Sequence, residues 1–278
     1  MKKIFGTRFS LIGDTVMSLP ILEYLKSVHG DYYVYFSIAK KCQQAAPLFY
    51  NQPLISEIKI SDFEEDLGSK DYEIISSCDI VFNVKPPHPM QQDWYNYRNC
   101  VEETALMAGL DPSQFSSETP SLKAYWQSNP QKNCLAIWPF AGYGLGLERS
   151  PSKEWWLKAL TPIINKVKVF HFGASVEPDL IESENYIKMT NLDFFSQIKL
   201  SLDCEACIGT DSGSMWCIGA YEKIPQLNLI TNWLHSHRRN PLALAPAGKL
   251  SKNVFAEGGC SKIDTKVVEE FVYENIRV

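Results

Sequence analysis

Several things are missing from this 278-residue chain. No uninterrupted apolar run approaches the roughly 18 to 20 residues of a membrane span. Lys2 and Lys3 open the chain, but Arg8 and Asp14 interrupt what would be the apolar core of a signal peptide. There is no excess of positive charge. Lys and Arg number 27 against 32 Asp and Glu, a net charge of −5, so no basic field argues for nucleic acid. No short-period repeat runs through the chain, which excludes solenoid and propeller architectures.

The eight cysteines follow no disulfide or metal spacing. Several sit inside apolar runs, where cysteine behaves as a small hydrophobe. Cys204 and Cys207 form the one CxxC pair, and no second pair or histidine pair stands at zinc-ligand spacing. Burial is the expected fate of that pair, and no metal or cofactor is expected. The apolar and charged fractions, 45% and 21%, are those of a globular protein. The length suits one large domain or two compact ones.

What is present is alternation. Lys3–Phe9 reads as a first strand, followed by a turn at Ile12–Thr15 and a helix over Val16–Val28 with Pro20 near its start. Strands are expected at Tyr32–Ile38, Ile55–Ile60 and Asp79–Val84, with a short helix at Lys40–Phe49 ending near Pro47. Lys85–Pro89 is a rigid proline loop beyond a strand, where His88 is a candidate substrate contact. The aromatic cluster Asp93–Arg98 opens a helix running to Met107. Gly109–Pro130 lacks periodicity, and an inter-domain boundary is expected there.

The alternation then restarts. Strands are expected at Cys134–Pro139 and Val167–Phe172, and helices at Ser152–Ile164, Asp193–Leu202 and Ile263–Ile276. Asn232–Ser251 reads as a long loop, in which His235, His237, Arg238 and Arg239 form a basic cluster. Strand–helix repetition of this kind argues for two parallel α/β sheets. Gly142, Gly144 and Gly146 do not make a dinucleotide fingerprint, because the third glycine comes too early.

The stretch Cys207–Ile230 carries the most chemistry. An apolar run ends at Gly209, small polar residues span Thr210–Ser214, and a helical pattern covers Met215–Tyr221 before Pro225 and a second apolar run. Thr210, Asp211 and Ser212 are helix-capping types, and Gly213 allows close approach of a ligand. N–H groups at such a helix start suit a phosphate.

This stretch resembles the Asp-Ser-Gly segment of the ADP-heptose:lipopolysaccharide heptosyltransferase family, glycosyltransferase family 9. Asp211, Ser212, Gly213, Met215 and Pro225 fit, while Trp216 stands at the family's histidine. A second resemblance is Gly13-Asp14 with Pro20, similar to the family's N-terminal segment. A third is Pro139–Trp156, where Glu154 and Trp156 fit and Arg149 stands at the family's lysine.

The resemblance implies a GT-B architecture, two Rossmann-like doubly wound domains facing a central cleft. Residues 1–128 would bind acceptor, and residues 129–278 a nucleotide sugar. It implies an inverting, metal-independent transfer of a heptose-like sugar from a nucleotide-diphosphate donor to a glycan of lipopolysaccharide type. Asp14 would be the general base. Arg149, Asp211, Ser212, Gly213, Ser214 and Met215 would hold the donor, with Gly13, Gly142, Lys153 and His88 as further substrate contacts. A cytoplasmic placement is expected, at most peripheral to the inner membrane. Two rival readings share the fold: a sugar-nucleotide epimerase or hydrolase, and a non-catalytic sugar-nucleotide binder.

Overall fold

A computed structural model describes residues 2–8, 12–61, 69–84, 100–115, 118–141, 149–231 and 248–277. The chain divides into two compact units, Met1–Tyr125 and Trp126–Val278. The first contains β1 (Lys2–Arg8), α1 (Ile12–Met17), α2 (Leu19–His29), β2 (Tyr32–Ala39), α3 (Ala46–Phe49), β3 (Glu57–Ser61), α4 (Ser69–Ile75), β4 (Ile80–Val84) and α5 (Cys100–Met107). The second contains β5 (Cys134–Trp138), α6 (Lys153–Leu160), β6 (Lys168–His171), β7 (Tyr186–Lys188), α7 (Phe194–Ser201), β8 (Ala206–Thr210), α8 (Gly213–Tyr221), β9 (Gln226–Thr231), β10 (Ser251–Ala256) and α9 (Lys266–Asn275).

Each unit holds one sheet, ordered β3-β2-β1-β4 in the first and β10-β9-β8-β5-β6-β7 in the second. Among the described residues every strand pairing is parallel. Parallel neighbours need crossover connections, which cover both faces of the sheet. The burial agrees: every residue of β5, β8 and β9 is buried. In each sheet the strand order reverses beside the first strand, between β1 and β4 and between β5 and β8. Doubly wound sheets bind ligands outside the carboxyl ends of strands at such a reversal.

The helices differ from the expected ones where proline intervenes. Pro20 has no N–H to give the carbonyl four residues back, so a continuous Val16–Val28 helix is penalised by about 3 kcal/mol. The chain breaks instead at Ser18, whose N–H and hydroxyl both donate to the Thr15 carbonyl. Pro20 then lies in the first turn of α2, where no donor is needed. Pro47 likewise opens α3 rather than ending a helix, after a 3₁₀ segment over Lys40–Ala45. The expected turn at Ile12–Thr15 is the start of α1.

Pattern reading also missed α4, β7 and β10. Strands β7 and β10 lie at the two edges of their sheet and are only partly buried, so neither carries a strong apolar signal.

The division between the units has a local cause. Gln52 bonds the main chain of Lys123 in both directions, at 2.9 Å each, and fastens that segment to the first unit. Beyond Tyr125, Trp126 packs edge-on against Phe195 and Tyr221 of the second unit. Asp203 then accepts from the Ser128 hydroxyl and the Asn129 N–H at 2.7 and 3.0 Å.

Candidate functional site

Asp14 is the third residue of α1, half-buried, on the segment that follows β1 beside the reversal of the first sheet. A carboxylate in the first turn is favoured by the positive end of the helix. It is therefore not an N-cap but a residue inside the helix. Gly13 precedes it and is buried.

The second unit assembles a larger set of groups at the carboxyl ends of β5 and β8. Ser212 is the N-cap of α8, in extended conformation, and its hydroxyl accepts from the Met215 N–H at 3.4 Å. The Trp216 N–H goes to the Ser212 carbonyl at 3.1 Å. Gly213 and Ser214 open the helix, and the first amides of a helix, which have no acceptor within it, suit an anion. Met215 enters the site only through its capped amide. Its side chain is fully buried, with its sulfur 3.7 Å from the Cys207 thiol. Trp216 is also a core residue, 4% exposed.

Asp211 and Arg149 come together across 62 residues of sequence. An Arg149 guanidinium N–H donates to Asp211 Oδ2 at 2.8 Å, and the two side chains are only 11% and 8% exposed. The family resemblance gives both to the donor; the structure makes them an ion pair. Burial of such a pair costs desolvation that its Coulomb attraction must offset. Lys153, the other candidate cation, is the first residue of α6 and is exposed. His88, Gly142 and the basic cluster at His235, His237, Arg238 and Arg239 lie outside the described residues, as do the Lys85–Pro89 loop and the Asp93–Arg98 cluster.

The main chain beside Arg149 is held in place. Ser150 accepts from the Ala141 N–H at 2.8 Å, and Ser152 donates its N–H to the Ser261 hydroxyl at 2.8 Å while capping α6. The buried Cys260 thiol donates to the Arg149 carbonyl at 3.1 Å. Burial pushes the Cys260 thiol up to about 12, so it stays neutral.

A further cluster escaped sequence reading. His171, the last residue of β6, is fully buried, and both ring nitrogens are engaged. Nδ1 meets the Tyr186 hydroxyl, and Nε2 lies 2.8 Å from the Glu177 carboxylate. Glu177 also accepts from the Ala174 N–H at 2.8 Å. Burial holds the Tyr186 phenol up at about 12, so it acts as a neutral hydroxyl. No motif announces this set, because Tyr186 meets His171 only when β6 and β7 pair.

The CxxC pair is structural. Cys204 and Cys207 are buried, and burial alone pushes the Cys207 thiol upward.

Two parallel doubly wound units, each with polar groups at its strand reversal, define the class: an α/β fold of the GT-B type. No protein-family model matches the chain, and no curated protein sequence matches it either. Solved structures do. The chain is similar to E. coli ADP-heptose lps heptosyltransferase II, at a TM-score of 0.72 and 13% identity over 99% of this chain and 98% of that one. It is similar to the glycosyl transferase family 9 protein from Veillonella parvula, at 0.70 and 15% identity over 98% and 96%. The E. coli heptosyltransferase WaaC with ADP superposes at 0.64, with 11% identity over 98% and 99%. At such identities the likeness establishes the fold.

Proposed function

We propose that this protein is an inverting glycosyltransferase that moves a heptose-like sugar from a nucleotide-diphosphate donor to a glycan acceptor of lipopolysaccharide type. The observation that carries the reading is chemical placement. A carboxylate, Asp14, stands beyond β1 at one strand reversal, and the Arg149–Asp211 pair with the start of α8 stands at the other. The fold's likeness to heptosyltransferases, which include one solved with ADP, supports the choice of donor class.

In this reading Asp14 accepts the proton of an acceptor hydroxyl. The hydroxyl oxygen bonds the anomeric carbon as the bond from that carbon to the diphosphate breaks. The electron pair leaves with the nucleoside diphosphate, and the anomeric configuration inverts. Arg149 and the Gly213 and Ser214 amides meet the charge that grows on the leaving group. Asp211 orients the guanidinium and accepts from hydroxyls of the donor sugar. The cation and the helix start supply the positive charge, so no metal is required. A cytoplasmic protein working beside the inner membrane fits an acceptor carried on a lipid.

The test is transfer itself. Purified protein is given ADP-, UDP- and GDP-sugars with lipopolysaccharide-core acceptors, with and without EDTA, and the anomeric products are followed by NMR. Transfer with inversion that survives EDTA is expected. Donor turnover without acceptor would instead make the protein an epimerase or hydrolase. Binding without turnover for any acceptor would make it a non-catalytic binder.

A further inference from the structure

The donor cation sits on a segment whose anchor comes from far along the chain. Cys260 lies 111 residues from Arg149 and donates its thiol to that residue's carbonyl at 3.1 Å, with the Leu229 carbonyl 3.5 Å away. Ser261 takes the Ser152 N–H at 2.8 Å, a tie across 109 residues. The turn that presents them is itself fastened. Gly259 donates its N–H to the Thr231 hydroxyl at 2.9 Å, and that hydroxyl donates to the Ala256 carbonyl at 2.9 Å. Gly258 and Gly259 have φ of 75° and 125°, values that glycine adopts without strain. A side chain at either position would deform the turn.

Both long-range ties land on residues 149–152, the segment carrying the guanidinium that reaches Asp211. Charge stabilisation depends on a cation held to within a fraction of an ångström, and a long arginine side chain inherits every shift of its own main chain. We propose that the Gly258–Ser261 turn positions Arg149 for the donor's diphosphate, with Cys260 and Ser261 as positioning residues that touch no substrate. This rests on the donor site proposed above.

The experiment measures binding by calorimetry, first screening ADP, UDP and GDP on the wild-type protein. The nucleotide that binds is then titrated into Ser261→Ala, Cys260→Ala and Cys260→Ser, and the corresponding nucleoside serves as a phosphate-free control. Ser261 is exposed, so its alanine variant keeps the fold even if Cys260→Ala does not. Loss of one tie weakens diphosphate binding by about three- to tenfold, the worth of a single hydrogen bond. Cys260→Ser, which keeps a donor, recovers part of the loss, and nucleoside affinity stays unchanged. The Ser261→Ala loss shrinks when Arg149 is already Lys, as coupling through that residue requires.

If no nucleoside diphosphate binds the wild-type protein, the functional reading fails and this inference with it. If one binds and the variants match wild type, or lose nucleoside and diphosphate affinity equally, the inference alone is overturned.

Discussion

A methyl group at Gly209 would lie 2.5 Å from the sulfur of Met215 and 3.0 Å from Cβ of Trp138. Gly209 stands next to last in β8, and Met215 is in the first turn of α8, so the glycine lets the helix start sit directly on the strand that precedes it. Gly209→Ala is expected to destabilise the protein by about 1–3 kcal/mol, the usual range for an overpacked core. The change combined with Met215→Ala should cost less than the two single effects added. Urea denaturation of the four proteins checks it.

The buried ion pair makes a second prediction. Asp211→Asn removes the carboxylate from a guanidinium that is 11% exposed, and breaking such a pair typically costs about 3–5 kcal/mol. Replacing both residues with apolar ones, as in Arg149→Met with Asp211→Leu, should restore much of that stability. Nucleotide binding should then be lost although the fold is kept. Denaturation and calorimetry together separate the two effects.

Asp14→Asn keeps the size of the side chain and removes its basicity. The turnover rate should fall by about 10²- to 10⁴-fold, the range for loss of a general base, with donor affinity within about twofold of wild type. Asparagine retains a side-chain acceptor in the first turn of α1, so the melting temperature should change little. Activity equal to wild type would remove Asp14 from the reaction.

The cap of α7 gives a prediction independent of function. Asp193 accepts from the Ser196 hydroxyl and N–H at 2.6 and 2.9 Å, and these bonds hold its carboxyl below the usual aspartate value. A depressed folded-state value contributes stability that is complete above the unfolded value, near pH 4, and is lost as the pH falls through the folded one. Asp193→Ala should cost about 1 kcal/mol at neutral pH. The difference from wild type should shrink as the pH falls below the unfolded value and through the lower folded one, as read from denaturation midpoints across that range.

Much of this molecule was legible from local pattern. The strand–helix alternation, the helix starts near Ser152 and Asp193 and the Asp-Ser-Gly helix start each depend on neighbours a few residues apart. The short edge strands β7 and β10 were not legible, because a partly buried strand of few residues carries little periodicity. The Ile12–Thr15 segment was misjudged for a related reason. Gly-Asp favours turns as well as helix starts, and only the packing of buried Thr15, Val16 and Met17 selects the helix.

The sequence by itself determined which stretches form the buried central strands, that a proline sits in the first turn of a helix rather than inside it, and the polar helix starts at Asp193 and Ser212, because backbone sterics and hydrogen bonding act over three or four positions. Tertiary structure alone decided that Arg149 answers Asp211, that Cys260 holds Arg149 and that Met215 belongs to the core. The first of these relations exists only once β8 has paired beside β5, since pairing order rather than distance along the chain sets which side chains meet.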